Sequence, residues 1–83
     1  MMDEEFKGEV IRALERRGLT EVRYVERARN RRCTNDSCEK NGSRLEKFRG
    51  FKNGAHMVAY ACSHCRHVYM KSLAFLKPIP VEL

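Results

Sequence analysis

The chain of 83 residues carries 17 basic and 11 acidic side chains, a formal charge of +6, with four cysteines and no tryptophan. This length predicts one domain, spanning residues 1–83, whose thin apolar core needs a metal or another cross-link. The longest apolar run, from Met57 to Cys62, is too short to span a membrane, and the acidic start is unlike a secretory signal. We therefore expect a cytoplasmic protein without membrane association, where close cysteine pairs are more often metal ligands or catalytic thiols than disulfides.

Residues 3–17 have the pattern of an amphipathic helix. Phe6, Val10 and Leu14 recur at helical spacing, acidic side chains occupy the first turn, and Gly18 follows two arginines. This apolar stripe either packs on the rest of the fold or contacts a partner, and a homodimer through the helix is one such arrangement.

The middle of the chain predicts strands joined by turns. The strand-like runs are residues 19–32, 44–51 and 55–62, with residues 66–77 continuing as a strand or as a strand followed by a helix. Asn53-Gly54 predicts a two-residue type I′ hairpin, because both positions need a positive φ. Residues 77–83 form an extended tail, since Pro78 and Pro80 exclude a helix there.

The cysteines form two close pairs with the spacing C-x4-C-x23-C-x2-C. They are Cys33, Cys38, Cys62 and Cys65. A tetrahedral zinc site needs four ligands, with sulfur at about 2.3 Å, and cysteines two to four residues apart can both turn toward one ion. Because the predicted hairpin lies between the pairs and brings them together, the spacing predicts one Zn²⁺ ion held by all four thiolates. Iron fits the same ligands.

Two cysteine pairs around a hairpin resemble the zinc-ribbon superfamily over about residues 30–72. The resemblance implies a two- to three-stranded antiparallel zinc-ribbon sheet, over about residues 21–76, and leaves the N-terminal helix unexplained. Together with that helix, the sheet predicts a small α+β fold. It is a resemblance to a fold and not to one subfamily, since Glu39 and Arg66 stand where many ribbons have glycine.

Other interpretations of the cysteines stay open. A redox dithiol at Cys62 and Cys65 would need a βαβ context and would leave the first pair without a role. A rubredoxin-like electron carrier fits the four thiolates but not the basic composition. His64 or His67 could replace one cysteine as a ligand, and His56 lies on the preceding strand. Four cysteine ligands leave no open position on the metal, so we expect a structural site and no enzyme activity.

Positive charge is concentrated before the first cysteine, where residues 21–32 carry five basic and two acidic side chains. In an extended strand Arg27, Arg29 and Arg31 would project from one side, as a row suited to phosphates. Zinc ribbons often contact nucleic acid through basic and aromatic side chains on a sheet face, and the resemblance implies the same use here. The predicted contact residues are Arg27, Arg29, Arg31, Arg32, Lys47, Arg49, Phe51 and Lys52.

Two alternatives compete with nucleic-acid binding, whether to DNA or to RNA. Arginine-rich strands are often solvated edges, and the aromatic residues Phe48, Phe51, Tyr60 and Tyr69 are more often core than base platforms. The chain could instead be a protein–protein adaptor in a larger assembly, docking through the stripe of the N-terminal helix.

Overall fold

The structure is a computed structural model that describes residues 2–39, 42–72 and 77–83. Within these residues, one helix precedes five strands: α1 (Met2–Arg16), β1 (Thr20–Arg32), β2 (Arg44–Lys52), β3 (Ala55–Ala61), β4 (Val68–Ser72) and β5 (Ile79–Val81). Each strand pairs antiparallel with the next, so the sheet order is β1-β2-β3-β4-β5. The predicted small α+β class is confirmed, with five strands where two or three were predicted.

Helix α1 ends at Arg16 and is followed by a glycine in the left-handed conformation. Gly18 has a φ of 92°, and the N–H of Leu19 donates to the carbonyl of Leu14 over 3.1 Å, which satisfies one of the last carbonyls of the helix. The turn directs Leu19 into the core, where it is 3% exposed. Among the described residues, no helix has both the length and the apolar character needed to traverse a bilayer.

The apolar stripe of α1 is buried against the sheet. Phe6, Val10 and Leu14 are at most 5% exposed and form one cluster with residues of the strands. Each such side chain contributes about 1.5–3 kcal/mol when it is fully buried. The stripe is therefore not available to a partner, because one face of the sheet is itself apolar and needs the helix as its cover.

The side chains of β3 alternate between the two faces of the sheet. Met57, Ala59 and Ala61 belong to the cluster with α1. Val58 and Tyr60 alternate with them and belong to a second cluster with three of the cysteines. We call the first side, which carries Phe48, Ala59 and Met70, the helix face. We call the other side, which carries Tyr60 and Tyr69, the open face. The four cysteines lie at one end of the sheet, beside the open face.

The hairpin between β2 and β3 is the predicted two-residue turn. Asn53 and Gly54 have φ values of 52° and 80°, and Lys52 pairs with Ala55 across the turn. Both central positions thus have the positive φ that a type I′ turn requires. This turn sets the register between β2 and β3.

The predicted extended tail is partly a strand. Met70 pairs with Ile79 and Tyr69 with Pro80, and Val81 is 5% exposed on the helix face. Pro80 has no N–H to donate, which an edge strand tolerates. Residues 73–76, where a strand or a helix was expected to continue, lie outside the described residues.

Candidate metal centre and basic sheet face

The four cysteine sulfur atoms form one cluster, in which all lie within 4.8 Å of one another. The Sγ atoms of Cys33 and Cys65 are 3.8 Å apart, and those of Cys38 and Cys62 are 3.7 Å apart. These distances are too long for disulfide bonds, which measure about 2.05 Å. A tetrahedron with metal–sulfur bonds of about 2.3 Å has sulfur–sulfur edges of about 3.8 Å. The cluster therefore has the size of a tetrathiolate metal site, and it is consistent with a zinc-ribbon-like fold.

The first cysteine loop, residues 33–38, is shaped by Asn35. Its carbonyl accepts the N–H of Cys38 over 3.0 Å, and its side-chain oxygen accepts the N–H of Ser37 over 3.1 Å. An asparagine that bonds to the backbone two residues later stabilises a tight turn. The N–H of Cys33 also donates to the carbonyl of Ser43 over 2.8 Å, which fixes the start of the loop. The turn between Cys33 and Cys38 is thus stabilised by hydrogen bonds to a side chain as well as to the backbone.

The second cysteine loop, residues 62–65, is a shorter turn that the backbone closes. The N–H of Cys62 donates to the carbonyl of His67, and the N–H of Arg66 donates to the carbonyl of Cys62, each over 2.9 Å. Arg66 has a φ of 64°, which is uncommon for an arginine. Its side chain pairs with Glu9 of α1 and lies 5.8 Å from the ring centroid of Phe6. Arg66 thus links this loop to the helix.

The pKa values of Cys62 and Cys33 are shifted in opposite directions. Burial alone would raise the pKa of Cys62, but the backbone N–H groups of Cys65 and His64 outweigh it and lower this pKa to about 7. Burial raises the pKa of Cys33 to about 12, although a backbone hydrogen bond from Asn35 opposes it. A bound cation stabilises thiolates and so reverses the effect of burial. The N–H groups at Cys62 already favour the charged form that a metal needs.

The three histidines lie outside the cluster. Among the described residues, the group of potential ligands contains four cysteines and no histidine. His64 and His67 are exposed, and the His67 ring lies 6.3 Å from that of Tyr69. His56 accepts a hydrogen bond from Nε of Arg49 over 3.1 Å on the open face. A histidine in place of a cysteine ligand is therefore not what this geometry favours.

The chain was compared with protein-family models, with curated proteins and with solved structures. None of the three comparisons finds a match. The likeness to a zinc ribbon therefore rests on the cysteine cluster and the antiparallel sheet of this chain.

Several of the residues predicted to contact nucleic acid lie on the open face. Lys47, Arg49 and Phe51 alternate along β2 on this face, as the sequence predicted, and Phe51 is 37% exposed. Arg23 of β1 lies directly opposite Arg49, so its side chain joins them. On β4, Lys71 lies opposite Val58 and is on the same face. Arg23 and Lys71 are not among the predicted contacts, because only the pairing of strands shows which face they occupy.

The predicted row of Arg27, Arg29 and Arg31 does not form. Nε of Arg27 donates to Glu46 over 3.1 Å on the helix side, whereas the Arg31 guanidinium lies 5.5 Å from the Tyr60 ring centroid on the open face. The cause is an irregularity in β1: Arg27 pairs with Glu46 and Arg32 with Arg44, so five steps along β1 match two steps along β2. Such extra residues rotate a strand and change the side to which its side chains point.

The other predicted contacts have separate positions. Arg29 is exposed and lines a depression together with Lys47 and Tyr60 on the open face. Arg32 donates from Nη1 to the carbonyl of Gly42 over 2.9 Å, which supports the segment after the first cysteine loop. Lys52 follows the helix-face alternation of β2, and its Cε lies beside Gly18.

Arg27 instead belongs to a polar network on the helix side. Glu46 is 6% exposed and accepts hydrogen bonds at both carboxylate oxygens, from Nε of Arg27 over 3.1 Å and from the Tyr24 hydroxyl over 2.8 Å. The ammonium of Lys7 lies 3.9 Å from the Tyr24 ring centroid and adds positive charge near this network. Arg27 thus partners a buried carboxylate, which would otherwise be costly to bury.

Proposed function

We propose that the protein is a structural-zinc module that binds nucleic acid through its open sheet face. The zinc part is supported by the four sulfur atoms within 4.8 Å of one another. Four cysteine ligands close the coordination sphere, which leaves no position for water or substrate, so the role is structural and not catalytic. The ion joins the end of β1 to the end of β3, two segments that the chain places far apart in sequence.

Elemental analysis of the purified protein tests the metal. We expect one zinc ion per chain, and substitution by Co²⁺ should give the absorption of a tetrahedral thiolate complex. Iron in place of zinc, with redox-dependent colour, would support the rubredoxin-like electron carrier instead. A chain that purifies without metal and does not take it up would overturn the proposal.

The nucleic-acid part is supported by the separation of charge between the two sides of the sheet. Among the described residues, the open face includes six basic side chains and two acidic ones, Glu21 and Glu26. The basic ones are Arg23, Arg29, Arg31, Lys47, Arg49 and Lys71. In α1, which covers the other side, the described side chains include four carboxylates and three basic groups. Phosphates that approach this protein are therefore attracted to the open face.

The pair of Arg23 and Arg49 is the strongest single element of this face. The two residues are directly opposite in neighbouring strands, where like charges destabilise a sheet. A phosphate between them would turn this repulsion into two charge-assisted hydrogen bonds. Phe51, exposed at the same end, offers a ring against which a base can stack.

Fluorescence anisotropy with labelled DNA and RNA, single- and double-stranded, at two salt concentrations tests this part. We expect binding that weakens steeply with salt. Arg49→Glu should weaken it and reduce the salt slope by at least about one, whereas Arg12→Glu, a matched change on the exposed side of α1, should leave it unchanged. Absence of binding at low salt would remove the nucleic-acid proposal. The adaptor alternative would then take its place, through a surface other than the buried stripe of α1.

A further inference from the structure

A groove of about 690 Å³ lies on the open face beside the first cysteine loop. Its lining comes from parts of the chain that are distant in sequence, which include Leu45 of β2 and Pro80 of β5. The end of β1 and the residues after it supply Arg31, Arg32 and Thr34, and β4 supplies Tyr69 and Lys71. The volume is within the range of about 300–1,000 Å³ that small-molecule sites occupy. The groove is thus large enough for one nucleotide and too small for a duplex.

The groove is basic. Arg31, Arg32 and Lys71 line it, and its lining contains no carboxylate among the described residues. The Nη1 of Arg32 is engaged with a backbone carbonyl, but Arg31 and Lys71 make no ion pair with any described residue. The hydroxyl of Thr34 and the amide of Asn30 add neutral hydrogen-bonding groups. This chemistry suits a phosphate together with a polar base edge.

The groove also has an aromatic side. Tyr69 and Pro80 line this side, and Pro80 lies opposite Tyr69 in the neighbouring strand. Tyr60 lies outside the groove lining, and its ring centroid is 5.5 Å from that of Tyr69. The Arg31 guanidinium lies 5.5 Å from the Tyr60 ring centroid. Burial raises the pKa of Tyr69, and the positive charge of Arg31 opposes that rise. A stacking surface and a cation therefore stand side by side.

We propose that this groove holds one nucleotide of a single-stranded nucleic acid, with its base against Tyr69 and its phosphate between Arg31 and Lys71. The inference rests on the proposed function. It adds that the nucleic acid is single-stranded and that the groove is a binding site for it. Bases in a duplex are stacked on each other and cannot reach a ring inside a groove, whereas single strands present theirs. From this groove the strand would run across the open face toward Arg49 and Phe51.

Two variants and a matched control test the site by anisotropy with single-stranded oligonucleotides. Tyr69→Leu keeps apolar bulk but loses the stacking ring, and we expect binding to weaken about fivefold or more. Lys71→Gln keeps the approximate length of the side chain but loses one phosphate contact. We expect the salt dependence to become weaker, so that the magnitude of the slope of log K against log salt decreases by about 0.7–0.9. Lys77→Gln makes the same change in charge at an exposed residue outside the groove lining, and should bind as the wild type does.

Nuclear magnetic resonance locates the site without any substitution. Titration with uridine 5′-monophosphate should shift the amide signals of Arg31, Tyr69 and Lys71, and inorganic phosphate alone should shift those of Tyr69 less. The metal content and circular dichroism of each variant identify a chain that has not folded, in which case the titration of the wild type decides.

The outcomes separate this inference from the proposed function. Two results would show that the open face binds nucleic acid but that the groove is not the site. In the first, oligonucleotides bind, but the amide signals that shift with uridine 5′-monophosphate belong to the end of the open face that carries Phe51. In the second, duplexes bind as tightly as single strands and Tyr69→Leu does not change the affinity. If no oligonucleotide binds at low salt, both fail.

Discussion

Replacing Cys62 with serine removes one sulfur atom from the most buried part of the metal centre. Cys62 is 1% exposed, and its Sγ lies 3.7 Å from that of Cys38. A serine hydroxyl stays protonated at neutral pH and is a poor ligand for zinc, so three thiolates remain. The two cysteine loops then lose the ion that joins them, and a buried hydroxyl replaces a thiolate in the cluster with Tyr60 and Val58.

The size of the effect follows from two quantities. A domain of 83 residues has a net stability of about 4–12 kcal/mol. Structural zinc sites in small peptides contribute an apparent binding free energy of about 10–16 kcal/mol at neutral pH. Loss of a large part of that free energy equals or exceeds the net stability. We therefore expect Cys62→Ser to be unfolded at room temperature, and the wild type to unfold when a strong chelator removes its metal.

Circular dichroism, thermal melting and amide spectra measure this. The matched control is His64→Ser, a change in the same cysteine loop at an exposed residue that lies outside the sulfur cluster. This variant should retain its metal and melt close to the wild type. Dispersed amide signals and a cooperative melt, in the metal-free wild type or in the Cys62→Ser variant, would refute the conclusion that the metal holds the two cysteine loops together and stabilises the fold.

Three further substitutions probe the sheet and its cover, each by chemical denaturation of the metal-loaded protein. Leu14→Ala, at a residue 0% exposed, should cost about 2–5 kcal/mol, and a loss below 1 kcal/mol would mean that α1 does not cover the sheet. Gly54→Ala should cost about 1 kcal/mol through backbone strain alone, because φ is 80° and an added Cβ meets no atom within 4 Å; an unchanged midpoint would contradict the turn geometry. Glu46→Gln should cost about 1–3 kcal/mol because Arg27 and Tyr24 lose their shared carboxylate; a neutral result would show that the network adds no net stability.

The elements that sequence predicted well are those set by neighbouring residues. Asn53-Gly54 determines its turn through its own φ preferences, and the stripe of α1 is visible at a spacing of one helical turn. The cysteine cluster was predictable for a related reason: each pair is close in sequence, and the hairpin between the pairs is local too. The class of fold and the grouping of the cysteines follow from these signals.

What the sequence could not supply is the pairing of distant segments. The extra residues of β1 between Arg27 and Arg32 leave no local signal, yet they place Arg31 beside Tyr60, on the side of the sheet opposite to Arg27. Likewise, β5 looked like a tail because its prolines disfavour regular structure, and only β4 gives it a partner. Which basic side chains share a face therefore depends on register, which hydrophobic pattern alone does not specify in an arginine-rich strand.

The attachment of Arg66 to α1 has a practical consequence for anyone who wishes to isolate the metal-binding half. Arg66 follows the second cysteine loop, yet its side chain contacts Glu9 and Phe6. A peptide that starts at Thr20 would retain every sulfur ligand, but it would expose Phe48 and the rest of the helix face to water. Such a fragment should bind its ion and still precipitate, so the first turns of the chain belong in any minimal version of this protein.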